Sequence, residues 1–239
     1  MRKPAYTLDA SALSQKLLEK LETMENFNLK TNSEVNLINY SPSSGLARGV
    51  TIQGKLFNEI PADALVVCTG AHTARFLYQT LSVFAPIVPI RSYTFDVPTN
   101  TPFIDTHLMF HKSALQAVQL SEGMWKMTAF GDIAGLSLDQ DQRRVRTAKN
   151  TVCITLDKKE GLLSKNIQAV LRACSPDDLP VIGALKTHPN IYINGGHGPR
   201  NAAFSIGSSK LVAELLSGES DSSSKDVDMA DFSPLRLQM

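Results

Sequence analysis

With 239 residues, 43% hydrophobic and 20% charged, the chain is long enough to bury a core as one large domain or two small ones. A formal charge of +1 gives no electrostatic reason to expect a nucleic acid or an acidic membrane as partner. Three scattered cysteines, Cys68, Cys153 and Cys174, form no CxxC pair and no histidine-spaced ligand set, so they read as thiols of a reducing compartment, with no metal site. No apolar run reaches membrane-spanning length, and no apolar signal core follows Met1-Arg2-Lys3-Pro4, so the expectation is a cytoplasmic globular protein.

Residues 10 to 24 place Leu13, Leu17, Leu18 and Leu21 at helical spacing opposite Lys16, Glu19, Lys20 and Glu22. That pattern predicts an amphipathic surface helix, capped by Asp9 or Ser11. A strand follows within 28 to 40 through Val35, Leu37 and Ile38, then the turn Ser41-Pro42-Ser43-Ser44-Gly45, and 49 to 57 is its hairpin partner. Ala64-Leu65-Val66-Val67-Cys68 is a different kind of strand. Its unbroken apolar run predicts burial on both faces, as in a parallel sheet covered by helices. Thr69-Gly70-Ala71 ends it and leads into a helix through Ala74, Phe76 and Leu77.

From Ala85 the texture changes. Pro86, Pro89, Pro98 and Pro102 punctuate β-like runs at 92 to 97 and 125 to 131, which suit an antiparallel sheet with one open face. Residues 136 to 165 are charged and read as helix and turns without chemistry of their own. Ile191, Tyr192 and Ile193 then form a strand, Gly195-Gly196-His197-Gly198 a turn, and Leu211, Val212, Leu215 and Leu216 the stripe of a helix closed by Gly218. Glycines at such a turn let the backbone approach a ligand, and the helix N-terminus behind it favours anionic groups. Composition alone makes 218 to 225 a loose tail.

Two motifs in this order carry a resemblance. Arg172, Ser175-Pro176-Asp177 and Pro180-x-Ile182-Gly183 precede Asn190-x-Tyr192 and Gly196-His197-Gly198. The pair resembles the C-terminal part of the glycine oxidase and D-amino-acid oxidase-like flavoproteins, with Ala173 where the family has proline. Pro89-Ile90-Arg91-Ser92-Tyr93-Thr94 is similar to the family's Pro-x-Arg-Gly-Tyr-Ser run, and Phe232-Ser233-Pro234-Leu235-Arg236 to its closing segment. Asp132 departs from the family's Gly-Thr-x-Glu pattern.

The resemblance implies a mixed α/β (α+β) fold. Residues 1–85 and 166–218 would form part of an FAD-binding domain, 86–165 an antiparallel-sheet substrate domain, and 219–239 a tail. It implies FAD held by the Val35 backbone at the adenine, by Gly70 and Ala71, and by Gly196, His197, Gly198, Pro199, Arg200 and Asn201. Arg172 would bind a substrate carboxylate, with Tyr93 lining the pocket or simply packing in the sheet. His197 would shape the flavin site, and no catalytic acid or base is implied. Partners would be a small amine or amino acid.

Such enzymes open with a G-x-G-x-x-G turn that holds the pyrophosphate. That spacing occurs nowhere here, and residues 1 to 30 contain no glycine. Two readings therefore stand. One is a truncated FAD-dependent oxidoreductase that oxidises a C–N bond to an imine. The other is a remnant unable to bind FAD that acts through interaction or not at all.

Overall fold

The computed structural model describes residues 8–53, 58–100, 107–110, 115–155, 165–219 and 227–237. The chain divides into two compact units, one of residues 1–10 and 89–172, the other of 11–88 and 173–239.

The second unit begins with α1 (Ala10–Glu22), as the leucine spacing predicts, although none of its residues is buried. An antiparallel meander follows, β1 (Val35–Tyr40), β2 (Ala47–Ile52) and β3 (Asn58–Pro61), in the order β1-β2-β3. The hairpin was legible, but β3 was not. Part of the expected partner strand, 54–57, lies outside the described residues.

β4 (Leu65–Val67) runs parallel to β11 (Ile191–Gly195), and β11 runs antiparallel to β10 (Val181–Ala184). Parallel pairing of β4 agrees with its apolar run. Burial on both faces does not: Val67 is buried at 5% exposure, whereas Val66 is 39% exposed. An apolar run reports what a strand could bury, and its neighbours decide what it does bury. Helix α2 (Thr73–Leu81) follows a short 3-10 turn over Gly70–His72. It buries Leu77 and Leu81 in one core with Val67, Ile191 and Ile193 of the parallel pair and Ile38 of the meander. Burying each such side chain contributes on the order of 1.5–3 kcal/mol.

Asn190 ties the meander to the parallel pair. Its Oδ1 accepts from the Ala47 amide at 2.8 Å, and its Nδ2 donates to Ala47 O at 2.9 Å and to Asp63 O at 2.8 Å. Its own carbonyl accepts from Leu65 N–H at 2.9 Å. Beside it, His188 Nδ1 donates to Gly45 O at 2.7 Å, because a carbonyl can only accept, and the ring meets Tyr40 edge-on.

The first unit is a five-stranded sheet in the order β6-β7-β8-β5-β9. Its strands are β5 (Val88–Pro98), β6 (His107–Phe110), β7 (Leu115–Ser121), β8 (Met124–Ile133) and β9 (Lys165–Cys174). β5 pairs antiparallel with β8, β8 with β7 and β7 with β6. Phe95, Val97, Leu115, Ala117, Trp125 and Met127 alternate onto one face, where they pack with Ala148 and Val152 of α3 (Gln142–Thr155). The alternation is the period-2 signature of a sheet with one covered face. Among the described residues no helix is long and apolar enough to cross a membrane.

Asn190→Ala removes three side-chain hydrogen bonds and leaves the Ala47 backbone groups and Asp63 O to find new partners. We expect a loss of about 2–3 kcal/mol, measured as a lower denaturant midpoint at unchanged slope. An unchanged midpoint would show that the meander is anchored by its apolar face alone.

Candidate functional site

The two sequence motifs of the C-terminal third lie side by side in the second unit. Ser175 N–H donates to Gly196 O at 3.3 Å, and Cys174 and His197 form an isolated antiparallel bridge. Arg200 Nη2 reaches Asp178 O at 3.1 Å. Its carboxylate contact at 3.9 Å is exposed on both sides and adds little.

The turn that makes this possible needs glycine at two points. Gly196 has φ +73° and Gly198 φ +57°, in the left-handed region that L side chains disfavour. A Cβ on Gly196 would also stand 3.2 Å from Val181 Cγ2 and 3.5 Å from Ser175 Cβ. A short 3-10 turn over Gly198–Arg200, with Pro199 in its first turn, then feeds α4 (Asn201–Ser217). The helix closes as its sequence predicts: Gly218, at φ 71°, donates its N–H to Glu214 O at 3.0 Å. At the other end, Asn201 Oδ1 accepts from the Ala202 amide at 2.7 Å. Pro199, Arg200 and Asn201 are exposed, whereas Gly196 and Gly198 are buried.

His197 is half-buried in this turn. Its Nε2 lies 2.9 Å from Ser208 Oγ, and that hydroxyl donates to Ser205 O at 3.1 Å. Ser208 Oγ is thus left to accept, which places a proton on Nε2. Burial pushes the His197 pKa down, so the ring is held neutral. It anchors the turn to α4.

A further residue, Arg236, locks the first motif, and its role was only hinted at by the closing segment. Its Nε and Nη2 fork onto Asp177 at 2.8 and 3.0 Å, while Nη1 donates to Phe232 O and Nη2 to Leu179 O, both at 2.8 Å. The Ile182 amide donates to Phe232 O at 2.8 Å. The tail over 227–237 is therefore structured onto the motif, while 220–226 lies outside the described residues.

Val35 and the end of β4 share a cavity of about 760 Å³. Its floor includes Ile38, Val50 and Phe76, and its polar groups include Ser33, Glu34, Thr69 and Arg75. That size and mixture are those of a small-molecule site. Gly70, at φ +56° and with open space where a Cβ would stand, borders it in sequence just past Thr69, and Ala71 follows in the same 3-10 turn. In the first unit, Arg172 lies half-buried on β9. Tyr93 on β5 is fully buried and its hydroxyl accepts from the Asp141 amide at 3.3 Å. Among the described residues, no group of histidine, cysteine and acidic side chains could hold a metal.

These donors fit the nucleotide portion of FAD: an apolar recess for a ring, with hydroxyls and Arg75 for sugar and phosphate. They supply no glycine-rich turn for the pyrophosphate.

Breaking the tail clamp has a pH signature. Hydrogen bonds from Arg236 hold the Asp177 carboxyl well below the usual carboxylate range, against the opposing effect of burial. The native state therefore binds this proton more weakly than the unfolded chain. The contribution is present above pH ~4 and is lost as pH falls below it. Arg236→Ala should cost about 2 kcal/mol at neutral pH and flatten the acid limb of the stability curve, as measured by thermal unfolding from pH 7 to 2. An unaltered acid limb would place the acid sensitivity elsewhere.

The L-proline dehydrogenase of P. horikoshii superposes with a TM-score of 0.75 at 18% identity, over 95% of this chain and 58% of that one. The glycine oxidase of Geobacillus kaustophilus gives 0.70 at 17% identity, over 87% and 53%. The iminodiacetate oxidase of Chelativorans sp. BNC1 gives 0.68 at 19%, over 85% and 53%. The chain thus spans just over half the length of these structures. Residues 3–215 match the family described as FAD dependent oxidoreductase, and the chain belongs to that family.

Proposed function

We propose that this chain carries part of the FAD-binding and substrate-binding machinery of an oxidoreductase acting on an amino acid or secondary amine. The observation that carries the reading is the stitched pair of motifs, Cys174–Gly183 against Gly195–Asn201, inside a family match that spans most of the chain. Val35, Gly70 and Ala71 are the residues proposed to hold the nucleotide end of FAD. Gly196 to Asn201 are proposed to present backbone N–H groups and the N-terminus of α4 to its ring system.

When bound, FAD supplies the acceptor for the hydride removed from the carbon beside nitrogen, giving an imine that water hydrolyses. The chain's own contribution is orientation. Arg172 offers a planar two-pronged donor to a carboxylate, and among the described residues its side chain has no protein partner competing for it. Tyr93, sealed in the sheet, is assigned to holding β5 and the 141 turn in place rather than to direct contact. His197 stays neutral and positions the turn; no proton transfer is assigned to it.

Titrating the purified chain with FAD tests the cofactor reading: bound-flavin absorbance that Gly196→Ala abolishes supports it. A second reading, a family member acting only through interaction, is favoured by the absence of a G-x-G-x-x-G turn from the 239 residues. Amine-dependent bleaching of bound flavin would eliminate it, whereas no binding at millimolar FAD would favour it.

In a form of the protein that turns over, Arg172→Ala should lower kcat/KM for amino acids roughly 100-fold, the equivalent of about 3 kcal/mol for an unpaired carboxylate. Amines without a carboxylate should be little affected, and FAD content should not change. Arg172→Lys should recover part of the loss, because the charge is kept and the fork is not. Equal losses on both substrate classes would make the residue structural.

A further inference from the structure

Helix α3 carries the sharpest local charge imbalance among the described helices. It holds Arg143, Arg144, Arg146 and Lys149 and no acidic residue, although the whole chain has a formal charge of +1. By contrast, α1 interleaves Lys16 and Lys20 with Glu19 and Glu22, and α4 sets Lys210 four residues before Glu214. Mixed faces are what solvation alone favours, because opposite charges one turn apart support a helix and like charges weaken it.

The four cations of α3 are not equivalent. Arg144 belongs to the fold: its Nη2 lies 3.4 Å from Oδ1 of Asp132, a buried residue of β8. Asp141, just ahead of the helix, is also committed, since its Oδ1 accepts from the Arg143 amide at 2.8 Å. Arg143, Arg146 and Lys149 remain. Among the described residues their side chains form no hydrogen bond or ion pair. Arg143 and Arg146 are exposed and Lys149 is half-buried, whereas Val145, Ala148 and Val152 on the opposite side are buried. Their three-residue spacing makes the cations one ridge, climbing about 4.5 Å along the axis at each step.

The ridge does not suit every anionic partner. Single-stranded nucleic acid is gripped by stacking on aromatic side chains, and α3 has none. Duplex binding draws on roughly 6–10 phosphate contacts, more than three cations supply. A helix that lies on a membrane buries its apolar face there. That of α3 already packs on the sheet through Ala148 and Val152, which leaves Ile154, 81% exposed, as an isolated aliphatic.

We propose that the outer flank of α3 docks an acidic helix of another protein through Arg143, Arg146 and Lys149. A ridge of residues three apart packs between ridges of residues four apart. Carboxylates recurring every four residues on the partner would therefore meet the three cations, with each guanidinium offering its fork to a carboxylate. Pairs this exposed make a weak, salt-sensitive complex. The inference concerns the surface of the first unit and stands whether or not FAD binds.

The probe is a soluble, fluorescently labelled alanine-rich helical peptide with glutamates four residues apart, titrated into the full chain and followed by anisotropy. Saturable binding is expected, weakening at least about tenfold between ~20 and ~300 mM salt. The triple variant Arg143→Gln, Arg146→Gln, Lys149→Gln should bind at least about tenfold more weakly without a lower melting temperature, because it removes repulsion and no native contact. Reversing the same three positions to glutamate should abolish that binding and create affinity for the peptide's lysine counterpart. No binding by the parent at ~1 mM peptide, or equal binding by the glutamine variant, overturns the proposal. Tighter binding of the parent to a DNA oligonucleotide or to phosphatidylserine vesicles than to the peptide overturns it as well, since the partner would then be of another class.

Discussion

The turn between β11 and α4 exists because Gly196 and Gly198 adopt a backbone conformation that costs an L side chain roughly 1–2 kcal/mol. Everything proposed for the site depends on that constraint. Only with both residues left-handed can the chain leave a buried strand, touch Cys174 and Ser175, and enter a helix within six residues. The close approach of Gly196 to Val181 adds a steric reason to the conformational one. His197, between them, could be any residue on conformational grounds. Its identity is explained by Ser208, whose hydroxyl accepts a hydrogen bond from His197 Nε2 at 2.9 Å.

Two other fasteners hold the same region. The Asp177–Arg236 fork brings the last described residues of the chain back onto the first motif, and Asn190 brings in the meander. They differ in kind. The fork is a charge-assisted pair between partly buried groups, sensitive to acid, whereas the Asn190 bonds are neutral and insensitive to it. A region fastened by both kinds should lose its tail before its meander when acidified.

What the sequence disclosed follows physical lines. α4 was legible from Leu211, Val212, Leu215 and Leu216 with a closing Gly218, because helix periodicity and cap chemistry are local. An antiparallel sheet was legible from proline spacing and the runs that became β5 and β8, though β6, β7 and β9 were not read, and the parallel nature of β4 was legible from its uninterrupted apolar run. β3 was missed because Asn58-Glu59-Ile60-Pro61 has no period; only its pairing with β2 makes it a strand. The exposure of Val66 was missed for a related reason, since burial depends on what neighbours are present. Among the site residues, the glycine turn could be read because φ leaves a mark on composition. Arg236 could not, since its worth lies in a partner 59 positions away.

Helix α1 illustrates how unevenly stability is distributed along this chain. It has thirteen residues, none of them fully buried, with Leu13 and Leu18 half-buried, and Gln15 Nε2 donates to Glu19 Oε1 along its surface at 3.1 Å. Isolated helices of that length are marginal in water, because the cost of nucleation is barely recovered. Its leucines are only partly covered, Leu17 at 53% and Leu21 at 38% exposure, and offset only part of that cost. The helix is therefore expected to loosen before the core around Ile191 and Ile193, so that helicity of the whole chain begins to fall on heating before the sheet is lost.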